Sequence, residues 1–537
     1  MLACATLVGL LFLPFIGKPV YIDDSAHYAA AKDLPNHWLR PYDMARVSGE
    51  WERFGWIQGQ APSEANPPLY HYLTALCGSA VGWKIPPLHG AFFFLAWICV
   101  LTMFFLAGRF CACPEEATLL FAVSPVFWLT GTSLVIDNCL LPCALPALFF
   151  MGCGLDKTPK KQSLWAAGLL LGLAPLAKYT GLVFWPLSAW WHARSQGLKR
   201  FLRLAPYFLP PLAIFSAWCA WSQAAYGAVH PWAVIRASHM GAFSISMAVA
   251  FMSFFSGGIL VPFLVLPAAW SRGGAWRFSM LGGWAATAAL FASPLGGFGL
   301  PGAALLSLFL TVSAAYFACL WSRRRHFADA RGQFLLAWLL LGIIASLSRG
   351  SGGWLVGRYM LILLPAVVLV TCRLAELEET GAARTWRRRL RVQAACLLAL
   401  SSLLTVADYQ QARVNTRLRD ALASLGASRQ GRRLWLPHYV PAGAGHYLRP
   451  LGWQPLARDE KPSPGDLLLV FTKSLPAALQ PLPEKAAMEK VLEFGSLIPL
   501  RTNDPASGAG FYGSLYSPLP FSFSTAPLER VLVLRVL

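Results

Sequence analysis

The chain has 537 residues, of which 56% are hydrophobic and 13% are charged, whereas an ordinary soluble domain has roughly 25% charged residues. This composition, with a mean hydropathy of +0.50 and apolar runs of about 20 residues along most of the chain, excludes a soluble globular protein and predicts an all-α polytopic membrane protein. The net charge of +20 does not indicate nucleic-acid binding, because the basic residues cluster in short loops between apolar runs, as topology signals do.

The apolar runs predict thirteen membrane spans. The first run lacks a charged start and a small-residue cleavage site, so we interpret it as a retained span and not as a signal peptide. The predicted spans are residues 2–17, 88–108, 117–134, 138–154, 164–178, 181–192, 204–223, 245–269, 278–293, 299–321, 333–347, 359–375 and 392–407.

Residues 69–82 form a further apolar segment, which is either a fourteenth span or a helix on the membrane surface. If this segment does not cross, alternate loops carry most of the lysines and arginines, and such loops stay cytoplasmic. The loop 18–87 and the tail from Asp408 then face outward, and residues 69–82 lie along the membrane surface. The basic side carries, among others, Arg109, Lys160, Arg200, Arg272, Arg324 and Arg388.

The outward loop 18–87 is long for a connection in a compact protein, and loops of this length are usually functional or disordered. Helical patterns occur near 24–33 and 41–53. The aromatic residues Trp51 and Trp56 argue against disorder, because disordered segments are poor in aromatic residues. We therefore expect a folded loop that belongs to the membrane domain, 1–407.

The tail, residues 408–537, is polar and rich in proline. Strand-like runs occur at Leu467–Phe471 and Val531–Leu537, with a turn signal at Ser463–Asp466. The tail is therefore predicted to form a small α/β domain outside the membrane.

A short polar stretch, Tyr21–Tyr28, follows the first predicted span directly and contains Asp23, Asp24 and His27. Adjacent carboxylates repel and raise each other's pKa, so such pairs occur where a proton or a cationic group is handled. The alternative is a solvated helix start, because aspartate is a common N-cap and acids are favoured at helix N-termini.

Three further polar groups fall at the outward ends of predicted spans. Asp137 either caps the next helix or belongs to the same outer layer as Asp24. Lys178 is costly so near the hydrocarbon unless it snorkels or has a partner. The glycine-rich segment Arg349–Arg358 is either a flexible turn or an anion site, because glycines let backbone N–H groups approach an anion and arginine binds phosphate in a bidentate fork.

These groups would place carboxylates and cations in one outer layer of a helical bundle. Transfer from a lipid-linked phosphate donor to a hydroxyl needs that combination, because cations stabilise the leaving phosphate and a carboxylate accepts the proton of the hydroxyl. The sequence therefore indicates an enzyme site at the outer face of the membrane.

At these positions the chain resembles the integral-membrane GT-C glycosyltransferases. The resemblance is to the bacterial branch that contains protein O-mannosyltransferases (family 39), lipid A aminoarabinose transferases and lipopolysaccharide-core galacturonosyltransferases. It covers essentially the whole chain, most firmly residues 1–200. Six short motifs occur in order on one predicted face: Asp23–Tyr28, Pro67–Tyr72, Asp137, Leu176–Gly181, Gly357–Met360 and Ala407–Gln410.

The resemblance implies that one acid of the Asp23/Asp24 pair is the catalytic base. Asp24 is favoured, because its spacing to His27 and Tyr28 fits the Asp-x-x-His pattern of the protein mannosyltransferases, and Asp23 is the alternative. Asp137 would orient the acceptor or the donor sugar.

The resemblance also implies the residues that bind substrate. Lys178 and Arg358 would hold the donor phosphate. Many relatives have a lysine immediately before the Pro-Pro pair, where this chain has Asn66. The donor-phosphate contacts are therefore expected from these two cations and from Arg236. Further substrate contacts are implied for His27, Tyr28, Tyr70, His71 and Tyr179.

The resulting prediction is an inverting glycosyltransferase of the bacterial inner membrane whose active site and C-terminal domain face the periplasm. It would move a sugar from a polyprenyl-phosphate donor to a hydroxyl of lipid A or core, of a polysaccharide or of a protein. Its expected partners are this donor, one of these acceptors and membrane lipid.

Two other functions are weighed against this one. A transporter or flippase of lipid-linked sugars would require ionisable residues in the middle of spans and symmetry-related halves, and neither is seen in the sequence. A polysaccharide polymerase or ligase would be expected to have a large arginine-bearing outward loop late in the chain.

No metal-ligand cluster is evident in the sequence, so no cofactor is expected, with a divalent metal as the alternative. The 12 cysteines include no Cys-x-x-Cys pair, and Cys111-Ala112-Cys113 alone is a weak metal signal.

Overall fold

The protein is described here from a computed structural model. The predicted helical pattern near 41–53 lies almost entirely outside the described residues, as do Trp51, Trp56 and residues 350–354 of the glycine-rich segment. The described residues are 2–42, 66–156, 160–197, 201–202, 204–237, 244–264, 274–292, 299–349, 355–377, 383–427, 432–437, 443–456, 460–473, 485–512 and 518–537.

Most of the described chain is α-helical, as the composition predicts. The helices before residue 300 are α1 (Leu2–Phe12), α2 (Asp24–Asp33), α3 (Leu69–Val81), α4 (Ile85–Phe110), α5 (Pro114–Ala122), α6 (Pro125–Gly131), α7 (Leu140–Cys153), α8 (Lys161–Ala177), α9 (Phe184–Gln196), α10 (Leu209–Tyr226), α11 (His230–Ala237), α12 (Ile245–Ile259) and α13 (Gly274–Ala292). The later helices are α14 (Leu300–Ser322), α15 (Ala330–Arg349), α16 (Leu364–Leu377), α17 (Ala383–Ala427) and α18 (Ala444–Leu448).

Five helical segments of the described residues are long and apolar enough to cross a membrane: Ile85–Phe110, Ile136–Cys153, Leu300–Ser322, Ala330–Ser348 and Trp386–Ala423. Two shorter apolar segments are Leu2–Phe15 and Ile245–Ile259. The chain is therefore a multi-pass helical membrane protein, and the predicted number of thirteen spans is not confirmed.

The predicted span 117–134 is two helices in the structure. Helix α5 ends at Ala122 and α6 begins at Pro125, with Ser124 between them in extended backbone (ψ 135°). Proline lacks the N–H that would continue a helix, and it disfavours helical backbone at the residue before it. The Ser124 hydroxyl at this break donates to the Ile259 carbonyl at 3.1 Å, so α12 supplies the hydrogen-bond partner that a buried hydroxyl needs.

Helices α2 and α3 occupy two of the positions predicted within the loop 18–87. Helix α2 packs on α3, and α3 packs on α4. The Tyr28 hydroxyl donates to the Trp83 carbonyl at 2.7 Å, which fastens α2 to the turn after α3. Gly82 ends α3 with a φ of +74°, a conformation that glycine adopts without steric cost. The polar stretch that contains Asp23 is thereby held against the bundle.

Helix α17 contains 45 residues, which corresponds to a length of about 67 Å. It includes the predicted span 392–407 and continues without interruption past Asp408, where the sequence predicts the outer domain to begin. The hydrocarbon core of a bilayer is only about 30 Å thick, so α17 is longer than one membrane span requires. One part of α17 packs on the bundle helices α5 and α6, and another part contacts the C-terminal strands. A single helix therefore connects the two regions.

The C-terminal region forms the small α/β fold that the sequence predicts. A five-stranded sheet has the strand order Trp453–Pro455, Leu434–Leu436, Leu467–Phe471, Glu529–Val536, Ala486–Phe494. The first three strands pair in parallel, and the last two pairings are antiparallel. The two predicted strands, 467–471 and 531–537, are adjacent partners in this sheet.

The predicted turn at Ser463–Asp466 is held by its aspartate. The Asp466 carboxylate accepts hydrogen bonds from the Ser463 N–H at 2.9 Å, the Arg433 N–H at 3.1 Å and the Trp435 indole at 2.8 Å. These donors hold the pKa of Asp466 below its usual value against the opposing effect of burial.

The C-terminal region also contributes to the core of the helical bundle. Phe511, Tyr512 and Phe521 belong to the same buried hydrophobic cluster as residues of α1, α4 and α16. The Phe521 ring lies 5.4 Å from the ring of Phe309 in α14, in an edge-to-face arrangement. Aromatic pairs of this geometry stabilise by ~1 kcal/mol beyond their burial, so the C-terminal region is fastened to the bundle next to the polar site.

Candidate active site

Four charged side chains from four separate segments form a continuous set of ion pairs. The Arg358 guanidinium binds Asp23 through Nη2, and its Nε lies 3.1 Å from Asp137 Oδ2. The Lys178 ammonium donates to Asp137 Oδ1, and its Nζ lies 4.4 Å from the centre of the Tyr359 ring. Asp137, Lys178 and Arg358 are buried or nearly so, whereas the Asp23 side chain is 40% exposed. We call Asp23, Asp137, Lys178 and Arg358 the ion-pair cluster.

Each member of the ion-pair cluster lies where a helix begins or ends. Asp23 directly precedes α2, Asp137 lies in the 3-10 turn before α7, and Arg358 lies in the 3-10 turn before α16. Lys178 follows α8 in extended backbone, with φ −160° and ψ 134°. Helix ends leave backbone polar groups without intrahelical partners, so a polar site is less costly there than in the middle of a span. The sequence locates these residues at span ends, and the structure brings them together.

Two glycines permit the close contacts around the cluster. The Gly357 N–H donates to the Phe511 carbonyl at 2.7 Å, and a Cβ at Gly357 would lie 2.5 Å from the Phe511 ring. Similarly, the Gly181 N–H donates to the Lys178 carbonyl at 2.7 Å, and a Cβ at Gly181 would lie 2.5 Å from the backbone of Ala174. Any larger residue would displace the turn that carries Arg358 or the turn that carries Lys178.

The two neighbouring aspartates have opposite environments. Burial opposes ionisation of Asp23, but Arg358, His27 and Lys178 outweigh it, and the pKa of Asp23 lies below its usual value. Asp24 is 1% exposed, and burial raises its pKa to about 7. The Leu134 backbone N–H interacts weakly with Asp24, but neither carboxylate oxygen completes a hydrogen bond to a described residue. Asp23 is thus an accessible carboxylate, and Asp24 is a buried acid that titrates near neutral pH.

His27 and the residues from α3 form a buried layer beneath Asp23. His27 Nδ1 lies 3.4 Å from His71 Nε2, and burial lowers the pKa of His27 to about 4, so the imidazole is neutral at pH 7. The Tyr70 hydroxyl donates to the Leu134 carbonyl. Tyr28, Tyr70 and His71 are all buried, so the structure places these three predicted substrate contacts inside the fold, where they support the helix that carries Asp23.

Tyr179 belongs to an aromatic cluster around His230, which no sequence motif indicates. Its hydroxyl shares a hydrogen bond with His230 Nδ1 and accepts one from the Trp218 indole at 3.1 Å. The Tyr42 ring stacks on His230 at 4.5 Å between centroids. A histidine at the start of a short helix is a weak sequence signal, and only the packing of α10 and α11 joins it to Tyr179.

Lys18 is a second residue of this region that no sequence motif indicates. Its ammonium lies 2.5 Å from Asp408 Oδ2 and 2.7 Å from the Ser133 hydroxyl. Asp408 also accepts hydrogen bonds from Tyr512 at 2.8 Å and from Thr502 at 2.9 Å. The buried pair therefore joins the end of the first span, helix α17 and the C-terminal region, and the charge of Lys18 also acts on Asp24.

A cleft lies against the ion-pair cluster. Both cations of the cluster line it, so an anionic group such as a phosphate would find compensating charge there. Its lining includes Asp137, Lys178, Thr180, Ser346, Arg358 and Tyr359.

One predicted donor contact, Arg236, is not among the residues that line this cleft. Arg236 is exposed on α11, and no contact described in the structure links it to the cluster. Asn66, which stands where many relatives have a lysine, accepts a hydrogen bond from the Tyr42 hydroxyl at 2.8 Å through its backbone carbonyl. The cations that the structure places at the cleft are therefore Lys178 and Arg358.

The arrangement combines the two chemical requirements of transfer from a phosphate donor. Lys178 and Arg358 provide positive charge for an anion, and Arg358 presents the planar donor fork that suits phosphate. Asp23 and Asp137 supply carboxylates within the same cluster. Among the residues described in this region, the acids and histidines do not form a group of three metal donors.

Comparison with known proteins gives one kind of match. The chain is similar to crystal structures of ArnT from Cupriavidus metallidurans in the apo state and bound to undecaprenyl phosphate. The TM-scores are 0.43 and 0.45, with 15% sequence identity and 86% of each chain covered in both comparisons. No protein-family profile and no curated protein sequence matches the chain. Because the sequence identity to ArnT is only 15%, the chemistry of the site is argued from the residues of this chain.

Proposed function

We propose that the protein is an inverting glycosyltransferase of the bacterial inner membrane, with its site on the periplasmic side. It moves a sugar from a polyprenyl-phosphate donor to a hydroxyl of lipid A or core, of a polysaccharide or of a protein. The ion-pair cluster carries this proposal, because two buried cations and two carboxylates form one set of ion pairs beside a cleft among helix ends. ArnT, whose fold is similar, has been crystallised with undecaprenyl phosphate, which accords with a polyprenyl-phosphate donor.

In this proposal the donor phosphate binds Lys178 and Arg358. The phosphate competes with Asp23 for the Arg358 guanidinium, because both anions need the same N–H groups. Asp137 stays between the two cations, since it contacts Lys178 and lies 3.1 Å from Arg358. Donor binding thus releases Asp23 from its ion pair and leaves Asp137 to hold the cations in place.

The release of Asp23 raises its basicity, because the lowered pKa in the free protein depends on Arg358. We therefore assign the base to Asp23, which is 40% exposed, in preference to Asp24, which the sequence pattern favours. A base must come within hydrogen-bond reach of the proton that it accepts, and at 1% exposure Asp24 does not reach the surface of the cleft.

The reaction is a single displacement. The acceptor oxygen forms a bond to the anomeric carbon while the bond from that carbon to the phosphate oxygen breaks, and Asp23 takes the hydroxyl proton. The phosphate leaves as the polyprenyl-phosphate anion, whose charge Lys178 and Arg358 stabilise. One displacement from the opposite face inverts the anomeric configuration, by the logic of inverting glycosidases.

The proposal is tested with purified full-length protein in lipid nanodiscs, polyprenyl-phosphate sugars labelled in the sugar, and lipid A, lipopolysaccharide core and a Ser/Thr peptide as acceptors. The expected result is acceptor-dependent release of polyprenyl phosphate, abolished by Arg358→Gln and retained by Arg388→Gln, an exposed arginine on α17. Movement of the intact labelled lipid across the membrane without cleavage of the sugar would instead establish a flippase. No cleavage with any of the three acceptors, together with no donor binding, would overturn the proposal.

A further inference from the structure

Two thiols and a carboxylate converge at the other end of the bundle. Cys111 and Cys113 lie in the short connection between α4 and α5, and Glu376 lies near the end of α16. One ligand atom from each of these three residues lies within 4.8 Å of the other two. The Cys113 sulfur is 3.6 Å from Glu376 Oε1. The sequence pair Cys111-Ala112-Cys113 is a weak signal alone, and the fold adds a third donor to it.

Cys372 adds a third thiol to this group. It precedes Glu376 by four residues on α16, so both side chains lie on one face of the helix. Cys372 is fully buried, and its thiol interacts with those of Cys111 and Cys113, although Cys372 does not belong to the three donors that lie within 4.8 Å of one another. We call Cys111, Cys113, Cys372 and Glu376 the thiol cluster.

The backbone around the thiol cluster is fixed from both sides. The Ala112 N–H donates to Glu376 Oε1 at 2.6 Å, and the Arg387 guanidinium of α17 donates to the Ala112 carbonyl. Arg391 of α17 binds Glu116 of α5 at 2.8 Å. The connection that carries two of the thiols is therefore held between α16 and α17, which is the kind of second layer that orients metal ligands.

We propose that the thiol cluster binds a Zn²⁺ ion that joins α4, α5 and α16 as a structural site. Zn²⁺ prefers four tetrahedral ligands of sulfur, nitrogen or oxygen type, and soft thiolates select thiophilic cations over Mg²⁺ or Ca²⁺. Binding would convert three thiols to thiolates and release three protons to solvent. The arginines that face the cluster, Arg373 and Arg387, offset the remaining negative charge.

The location favours a metal over a disulfide. The thiol cluster lies beside Arg109, Arg387 and Arg391, at the end of the bundle that the charge distribution predicts to be cytoplasmic. Cytosolic thiols are kept reduced, so a cysteine group there is more often a metal site than a disulfide.

The thiol cluster is separate from the proposed active site. Arg358 precedes the first residue of α16, whereas Cys372 and Glu376 lie in its last turns. An α-helix rises about 1.5 Å per residue, so the 14 residues of α16 separate the two sites by roughly 20 Å. The metal would therefore act on the packing of the helices and not on the transfer reaction, and this proposal stands independently of the proposed function.

The first test measures zinc in the full-length protein, expressed in zinc-supplemented medium, purified in detergent and analysed by inductively coupled plasma mass spectrometry. We expect about one Zn²⁺ per chain, as in a closed structural site, and loss of that zinc in Cys113→Ala and in Cys372→Ala. Cys99→Ala is the matched control, because Cys99 is a buried cysteine of α4, the helix that precedes the connection with Cys111 and Cys113, and lies outside the cluster.

The second test uses the wild-type chain alone, so that it does not depend on whether the variants fold. Zinc is removed with a chelator and Co²⁺ is titrated in, and we expect thiolate charge-transfer bands and tetrahedral d–d bands that Zn²⁺ displaces. Wild-type protein that contains no stoichiometric zinc and gives no such bands would overturn the proposal. So would a disulfide within the thiol cluster, found by mass spectrometric mapping of protein purified without reductant.

Discussion

Asp23 and Asp24 are adjacent in the chain, yet the Asp23 side chain is 40% exposed and ion-paired with Arg358, whereas Asp24 is 1% exposed. The start of α2 turns one carboxylate toward Arg358 and leaves it accessible, and it turns the other toward the interior. The proposed mechanism depends on this difference, because only an accessible carboxylate can take a proton from an acceptor.

Replacement of Asp23 by Asn should lower kcat by about 10²–10⁴-fold, the usual contribution of a general base, with little change in protein yield. Asp24→Asn should keep transfer within about tenfold of wild type, because the amide is close in size to the acid that it replaces. Steady-state kinetics in nanodiscs measures both, with Asp33→Asn at the far end of α2 as the control. The reverse pattern would assign the base to Asp24.

The pH dependence of stability should identify Asp24. Its folded pKa of about 7 lies above the ordinary value of 3.8, so the folded state holds a proton that the unfolded state loses. Stability should therefore fall as pH rises from about 4 to about 7, by on the order of 4 kcal/mol in total. His27, whose pKa is lowered to about 4, contributes the opposite slope between about 4 and 6.5.

The difference between Asp24→Asn and wild type isolates the Asp24 contribution, because His27 is common to both proteins. The variant should gain stability over wild type progressively up to pH 7 and hold that gain at pH 8. Thermal midpoints from tryptophan fluorescence in detergent at a series of pH values provide the measurement. A constant difference at all pH values would show that Asp24 titrates normally.

Asp137 and Lys178 should be strongly coupled. Breaking a buried ion pair by removing one partner costs about 3–5 kcal/mol where the other charge is left without compensation, and Lys178→Met should cost less, because Asp137 keeps Arg358 at 3.1 Å. Asp137→Asn and Lys178→Met should each destabilise the protein, and the double variant should be less destabilised than the sum of the two. A double-mutant cycle on thermal stability measures the coupling, and strict additivity would contradict it.

The Lys18–Asp408 pair should stabilise the contact between the C-terminal region and the helical bundle. Lys18→Met leaves the buried Asp408 carboxylate with Tyr512 and Thr502 as its donors among the described residues, so we expect a loss of about 3–5 kcal/mol. Limited proteolysis should then cut the C-terminal region faster than in wild type. Lys490→Met, an exposed lysine of the C-terminal sheet, serves as the control, and equal protease resistance of the two variants would contradict the assignment.

Gly357→Ala should displace the turn that carries Arg358, although Gly357 itself is not part of the ion-pair cluster. The new Cβ would lie 2.5 Å from the Phe511 ring, and overpacking of this kind typically costs about 1–3 kcal/mol. Because the same turn carries Arg358, donor KM should rise together with the loss of stability. Gly258→Ala on α12, where an added Cβ meets nothing within 4 Å, is the matched control and should behave as wild type in both measurements.

The sequence by itself determined the class of the protein and the residue types of the site. Membrane helices follow from the lack of hydrogen-bond partners in lipid, so long apolar runs can be recognised without knowledge of the fold. Asp23, Lys178 and Arg358 can be recognised in the same way. A charge at the end of an apolar run is costly, so its presence indicates a functional candidate. The strand at 467–471 was predictable from its continuous apolar composition.

Only the tertiary structure decided which of these residues meet. In the sequence, Lys18 is an ordinary charge at the end of a span. In the structure, α17 brings Asp408, which is 390 residues away in the sequence, into contact with it. The separate environments of Asp23 and Asp24, the burial of Tyr70 and His71, and the convergence of Cys372 with Cys111 all depend on contacts between distant segments. Local sequence fixes which groups are costly to bury, whereas the packing of helices against one another determines the partner that each group receives.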